Sequence, residues 1–589
     1  MRKTAQVLLP VLKPEAREGA YDIYPVHPLG GNQISGGYQS LAEEMARRPA
    51  VALDGYAGVF FEEIREGLQE CFDKAGRPVR WVNTAMAMKP PQAIEAMTAA
   101  FLGGDDPLFG TRTTLLLKDF FDPAGLEALK GGQHTGTCTV FYGCGAALAA
   151  PDCFLVYVDL PKNELQYRLR AGTAATLGGS SCPDFQTAYK RLYFVDWVVL
   201  NAHKQAIIER IDIFADGQRP GELVWAKGQS IRQALHEMSR SVFRVRPWFE
   251  PGPWGGSWCL HHIEGLNKDV PNIAWSFELI VPENGLLFES AGRMMEVSFD
   301  CLMFREAPAV LGDAYERFGT EFPIRFDFLD TFEGGNLSVQ CHPGAEYTKK
   351  HFNEAFTQEE CYYILDAGDD AKVYLGFRDE IDPQQFEQVL KKSQQDGTSV
   401  NIDHFVNSLN SEKHDFFLIP PGTIHASGRN NMVLEISSTP YIFTFKMYDW
   451  LRPGLDGKPR NLNIDRAMEN LDFTRKGSYP EEKLRSRPIL REAGEGWKRY
   501  ELPTHEQHFY EVGRLHLRGS VSCDTGGLCR VMNLVEGTSV AVETPYGSRS
   551  FNYAETFVIP AATGIYRLIN LGPEEAIIVI ANVKPSSHL

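Results

Sequence analysis

The sequence predicts a multidomain protein: a parallel α/β region at the front, then all-β barrels or sandwiches interrupted by a small helical insertion. Three observations predict this. At 589 residues the chain exceeds what one hydrophobic core usually holds. Up to about residue 245, short apolar β-rich runs alternate with helical stretches, the pattern of parallel strands covered by helices on both faces. From about residue 250 onward, strand-like runs follow one another with Gly, Pro and Asn between them, as in barrels and sandwiches.

In order along the chain, Val51-Ala-Leu precedes a helix around Phe60–Cys71, and Val79-Arg-Trp-Val, Thr114–Leu117 and Phe154–Val158 read as further strands. Pro247–Trp258, with its Pro, Gly and Trp residues, reads as a boundary. Beyond it, Ile273–Val281, Leu337–Gln340, Tyr362–Leu365, Lys372–Phe377, Phe416–Ile419 and Met432–Ile436 read as strands, with a polar helical stretch over Asp382–Leu409. Val531–Val535, Ser539–Val542 and Ala576–Ile580 continue the strand–turn rhythm to the end. The expected units are 1–245, 246–480 with its insert at about 382–409, and 481–589.

A content of 43% hydrophobic and 23% charged residues is that of a globular chain and excludes long disorder. No stretch approaches about 18 uninterrupted apolar residues, so no membrane span is expected. The opening segment is broken by Pro10 and Lys13 and is too short for a secretory leader, which predicts a cytoplasmic protein. A net charge of −17 argues against nucleic-acid binding, although a small cationic cluster would suffice for an anionic substrate. The 11 scattered cysteines include no Cys-x-x-Cys pair and predict reduced, mostly buried thiols.

Three segments of the middle region hold residue types that can ligate a metal. In Asn336-Leu-Ser-Val-Gln340-Cys-His342-Pro343, residues two apart on a strand share a face, so Gln340 and His342 can enter one cavity. Glu359-Glu360-Cys-Tyr-Tyr-Ile-Leu heads an apolar strand with carboxylates. In Phe416-Phe-Leu-Ile-Pro-Pro-Gly-Thr-Ile-His425-Ala, a strand meets a Pro-Gly turn and then a histidine. Two imidazoles, a carboxylate and an amide oxygen form a nitrogen and oxygen shell that suits zinc and also admits manganese, iron or cobalt. Taken singly, each of these residues is equally an ordinary structural one, a histidine after a turn commonly being hydrogen-bonded.

These segments resemble the type I mannose-6-phosphate isomerases, whose Leu-Ser-Val-Gln-x-His-Pro, Glu-headed Tyr-Ile-Leu and Pro-x-Gly-Thr-Ile-His-Ala motifs occur here in family order. Trp254-Gly-Gly256, Phe322-Pro-Ile-Arg-Phe-Asp-Phe-Leu-Asp330, Tyr448-Asp-Trp-Leu-Arg452 and Asp456-Gly-Lys-Pro-Arg460 extend the resemblance, which covers about 250–589. It implies cupin (jelly-roll) barrels, the second without ligands, and a divalent ion, Zn2+ or another transition metal, on Gln340, His342, Glu360 and His425. Glu359 is the neighbouring alternative to Glu360, which is preferred because it directly precedes the strand. The chain departs from the family at Gln358, where a lysine is usual, and at Lys446, the nearest basic residue to the position of an arginine. Losing the lysine removes a charge, and a lysine lacks the bidentate fork of arginine.

Residues 1–245 resemble the uridine kinase branch of P-loop proteins, with Val51-Ala-Leu-Asp54-Gly55-Tyr56-Ala57-Gly58 where a phosphate loop would lie. Val59-Phe60-Phe61 follow Gly58, so the lysine and hydroxyl that a working loop needs are absent. The region therefore reads as a pseudokinase with a scaffolding or sensing role. Arg168 and Arg170 are either former lid arginines or a solvated helix face.

Together the resemblances imply an aldose–ketose isomerase of a sugar phosphate, with mannose 6-phosphate and fructose 6-phosphate as the expected pair and a cis-enediol intermediate. Lys446, Glu435 and Arg452 are the candidate catalytic residues. The alternatives are an isomerase of an unphosphorylated sugar and a non-catalytic sugar- or nucleotide-sensing fusion. A small sugar or sugar phosphate is the expected partner, with neither nucleic acid nor membrane.

Overall fold

The computed structural model describes residues 6–15, 17–104, 106–130, 137–179, 184–281, 283–440 and 442–585. In the front region β1 (Ile34–Gly36), β2 (Ala50–Gly55), α1 (Phe61–Lys74), β3 (Val79–Asn83), β4 (Cys138–Tyr142), β5 (Phe154–Asp159), α2 (Lys162–Arg170), β6 (Ile213–Asp216) and β7 (Val224–Lys227) follow one another. They form a seven-stranded sheet in the order β1-β7-β6-β5-β2-β4-β3. Strands β3, β4, β2, β5 and β6 are parallel, and β7 and β1 are antiparallel additions at one edge. Every residue of β2 is buried, as a central parallel strand covered on both faces requires. In α1, Ile64, Leu68 and Phe72 recur every four residues and are buried, while the charged face stays outside.

The expected strand at Thr114–Leu117 does not form. The backbone there bonds elsewhere, Thr111 N–H to Phe101 and Thr113 N–H to Phe194, and Leu117–Phe120 closes into a 3-10 turn. The strand that completes the parallel sheet is β4, which the sequence reading passed over; all five of its residues are buried.

The middle region contains β8 (Trp248–Glu250), β9 (Trp275–Leu279), α3 (Asp300–Leu311), β10 (Ile324–Asp330), β11 (Val339–Cys341), β12 (Glu360–Ala367), β13 (Lys372–Phe377), α4 (Pro383–Asp396), β14 (Val406–Asn410), β15 (Phe416–Ile419), β16 (His425–Ser427), β17 (Asn431–Ser438) and β18 (Phe445–Tyr448). One sheet runs Arg485–Ser486, β15, β12, β17, β10, β9, β8; the other runs β14, β13, β16, β11, β18. The boundary segment Pro247–Trp258 thus contributes a buried edge strand, β8, to the first of these sheets.

The helical insert is shorter than expected. Asp382 caps α4 by accepting from the N–H groups of Gln384 and Gln385, Pro383 sits at its first turn, and Gly397 at φ 74° ends it. The rest of the stretch forms β14, paired with β13. A third strand-rich region follows, with six-stranded and four-stranded sheets and a core of its own around Leu515, Met532, Val540, Phe557 and Ile578. The front and middle regions share one continuous core.

Between front and middle lies a three-stranded sheet of Val26–Pro28, Gly285–Ser290 and Arg293–Ser298. The described cysteines are all free, Cys71, Cys144 and Cys153 being half-buried and the others buried. Cys182 and the segment Met1–Ala5 lie outside the described residues. Among the described residues no helix is long and apolar enough to cross a membrane.

Candidate metal centre

Strand register assembles the site. Gln340 on β11 is directly opposite His425 on β16 and, on its other side, opposite Lys446 on β18. Residues in register across a sheet point to one face, so these three side chains form a row. His342, two residues beyond Gln340, continues that face just past the end of β11. Glu360 comes from the facing sheet at the head of β12.

The side chains of His342, Glu360 and His425 are fully buried and offer ligand atoms within 4.8 Å of one another. One Glu360 oxygen lies 2.7 Å from Nε2 of His342 and 3.0 Å from Nε2 of His425, and the Gln340 amide comes to 3.3 Å of the latter nitrogen. On the far side of each ring, Nδ1 meets a backbone carbonyl, that of Phe443 at 3.1 Å for His342 and that of Thr423 at 2.9 Å for His425. A neutral imidazole that donates from Nδ1 presents a lone pair at Nε2. Two such lone pairs therefore face a carboxylate in a dry interior. A cation is what that donor set stabilises, and the backbone anchors fix tautomer and ring orientation as they do in metal sites.

Electrostatics agree with this reading. Burial holds His342 below the usual imidazole value despite the nearby carboxylate. Glu360 is also opposed by burial, but the two imidazoles outweigh it and hold its carboxyl well below the usual range. The residues present therefore fit a divalent ion. Glu359 faces away: its carboxylate accepts from Phe509 N–H at 2.7 Å, and burial pushes it up to about 7. Of the adjacent pair, Glu360 is the one that meets the imidazoles.

The three candidate catalytic residues do not converge on one point. Lys446 is half-buried on the same sheet face as Gln340, and burial, reinforced by Arg460 and Arg452 and opposed by Asp449, brings its ammonium down to about 7. Arg452 is held by Asp449, with contacts of 3.1 and 2.6 Å to one carboxylate oxygen. Glu435 stands on the other sheet, buried, bonded to the guanidinium of Arg325 and to the Ser437 hydroxyl at 2.8 Å. Arg325 also reaches Asp327 at 3.0 Å, and burial together with the charge of Glu360 raises Asp327 to about 6.

Sequence reasoning missed Arg460, which donates to Asp449 at 2.8 Å and to Ser338 at 3.1 Å beside Lys446. The signal was available, since Arg460 closes the Asp456-Gly-Lys-Pro motif. Arg325 and Asp327 were likewise inside a quoted motif without a role. In the front region, Arg168 donates to the Gly58 carbonyl at 2.7 Å and to that of Gly217 at 2.9 Å, and Arg170 pairs with Glu250 at 2.9 Å. Both arginines hold the fold together, and Arg168 is buried rather than on a solvated face.

The fold and this site define a strand-rich unit of two β sheets carrying a buried His/Glu/His cluster, joined to a parallel α/β unit. Residues 37–240 match a family model described as a domain of unknown function (DUF8485). Over 151 residues the chain is 34% identical to the probable mannose-6-phosphate isomerase GmuF of Bacillus subtilis (strain 168), covering 26% of this chain and 44% of that protein. Over 252 residues it is 26% identical to mannose-6-phosphate isomerase ManA of the same organism, covering 42% of this chain and 73% of that protein. The chain thus spans less than half the length of the first of these relatives. A mannose 6-phosphate isomerase structure from Bacillus subtilis aligns with a TM-score of 0.47 at 17% identity, covering 58% of this chain and 100% of that one. A zinc-bound mannose 6-phosphate isomerase structure aligns with a TM-score of 0.45 at 14% identity, covering 59% of this chain and 100% of that one.

Proposed function

We propose that the chain is a metal-dependent aldose–ketose isomerase acting on a sugar phosphate, with mannose 6-phosphate and fructose 6-phosphate as the pair interconverted. One observation carries this reading: the buried convergence of His342, Glu360 and His425 beside Gln340, with Lys446 on the same sheet face. Gln340, His342, Glu360 and His425 would hold zinc or another divalent ion, which when bound supplies a Lewis acid for the negative charge of a cis-enediol.

The remaining chemistry belongs to the chain's own side chains. Lys446, brought down to about 7, is poised between its neutral and charged forms at physiological pH. Neutral, it can accept a proton from a sugar carbon; charged, it can hold a phosphate as a point charge. Arg452 and Arg460, both fixed on Asp449, add positive potential beside it. Glu435, tied to Arg325 and Ser437, acts as a positioning residue that stiffens the barrel interior. The Tyr362 hydroxyl and the Gln358 amide oxygen are buried without a hydrogen-bond partner among the described residues. The similarity of part of the chain to proteins named mannose-6-phosphate isomerases supports the choice of substrate.

Gln358, standing where the resembling family has a lysine, favours a second reading in which the sugar is unphosphorylated or is bound without turnover. Incubating the zinc-loaded chain with mannose 6-phosphate, fructose 6-phosphate and the free sugars separates these readings. Faster turnover of the phosphosugars is expected. Turnover of the free sugars alone points to the unphosphorylated substrate, and no turnover of any sugar at full metal content overturns the isomerase reading.

A further inference from the structure

The carboxyl edge of the parallel sheet is divided in two. Over β5 and β6 it is closed by the chain itself. Asp159 accepts from Ser298 N–H at 2.7 Å and Asp216 from Glu296 N–H at 3.0 Å. Asp300 at the start of α3 pairs with Lys162 at 2.7 Å and Lys204 at 3.0 Å. Over β2, β3 and β4 the described residues leave a cleft of about 230 Å³, lined by the loops that follow those strands and by Ala175–Gly178. Chain connections leave β2 toward β3 and β4 on one side and toward β5 and β6 on the other, and ligands of open α/β sheets bind at such a switch point.

We propose that this cleft binds an uncharged, monosaccharide-sized polyol, at a site separate from the metal centre. Among the described residues the one charged group lining it is Glu62, in the first turn of α1, and no lysine or arginine lines it. The Glu62 carboxylate accepts from the Tyr142 hydroxyl at 2.8 Å and from the Asn83 amide at 3.3 Å, with Arg65 behind it at 2.7 Å. Its side chain is 58% exposed, so lone pairs remain for a ligand's hydroxyls. Burial works against its charge, but the hydrogen bonds from Arg65 and Tyr142 outweigh it and keep the carboxyl below the ordinary range.

An anion would meet this carboxylate with no cation among the described lining residues, Arg65 standing behind it and already paired with it. The loop at Gly58 offers no phosphate cradle either: a Cβ built there would fall 2.4 Å from Leu165 Cδ1, so an apolar side chain fills the space beside it. A neutral sugar suits the lining better, its C–H face on Phe61 and Tyr142 and its hydroxyl rim on Glu62, Thr84 and Thr176. The volume lies below the ~300–1,000 Å³ of drug-sized sites, which favours one ring over a nucleotide.

The test is calorimetric titration of the full chain with free mannose, mannose 6-phosphate and uridine, alongside hydrogen exchange. Free mannose should bind, protecting 83–88 and 142–144 from exchange. Glu62→Gln should weaken it at least tenfold, and Ala85→Trp, which fills the cleft from an exposed position, should abolish it at unchanged melting temperature. Exchange protection confined to the metal barrel, or binding that survives both substitutions, overturns the site. Tighter binding of uridine or of mannose 6-phosphate at these segments overturns the ligand class, and no binding of mannose overturns the proposal.

Discussion

Replacing Glu360 by Gln removes the one anion between His342 and His425 while keeping the shape of the side chain. Its carboxylate oxygen lies 2.7 and 3.0 Å from the two Nε2 atoms, in a setting with no solvent access. If these atoms are ligands, the variant keeps only neutral donors. Loss of outer-shell partners alone costs roughly 10–100-fold in metal affinity, so loss of a direct anionic ligand should cost at least about 100-fold. With free metal at about 100 times the wild-type Kd, binding stabilises the native state by ~2.7 kcal/mol. A Kd about 100-fold weaker brings the ratio to about one and the gain to ~0.4 kcal/mol. The assay is thermal unfolding of both proteins with and without zinc at that concentration, with elemental analysis of each. A clear rise in melting temperature is expected for the wild type and almost none for Glu360→Gln. An equal rise in both, or no metal on the wild type, refutes the ligand assignment.

Lys446→Met should weaken a phosphosugar by about 1–3 kcal/mol, read in KM, and leave a free sugar almost unaffected if the lysine holds phosphate. An equal collapse of kcat for both sugars would instead assign it to proton transfer. Glu283, buried against Gln166 and Tyr189, is pushed up by burial to about 7. Its folded value lies above the unfolded one, so the stability it contributes is present at low pH and lost as pH rises through about 7. Between about pH 6 and pH 8 that loss is ~1 kcal/mol. Glu283→Gln should flatten this part of the melting-temperature profile, and an unchanged profile would show that Glu283 is ionised throughout. The front region should transfer no phosphoryl group from ATP to nucleosides, since Val59 and Phe60 follow Gly58. Robust transfer by the full chain would overturn that.

The sequence by itself determined what is local. Alternation on a strand put Gln340 and His342 on one face, and the apolar run after Glu360 predicted the strand it heads. The letters after Gly58 showed that no lysine or hydroxyl stands where a working phosphate loop needs them. Among β8–β18 the strands β9, β11, β12, β13, β15 and β17 were legible because short apolar runs between turn residues are a nearest-neighbour signal. Tertiary structure decided what depends on residues distant in sequence. Register joined Gln340 to His425 and Lys446, and only the carbonyls of Phe443 and Thr423 show which nitrogen each imidazole turns inward. Glu359 and Glu360 are equivalent as letters, but strand alternation sends one to Phe509 and the other to the imidazoles. Glu435 read as a candidate catalytic residue, and only the fold brings Arg325, from a strand far upstream, onto its carboxylate. The same holds for Thr114–Leu117, apolar enough for a strand but left without one to pair with, while β4 completed the sheet and opened the cleft beside Glu62. A strand and a site are both made by partners, and partners are chosen by the fold.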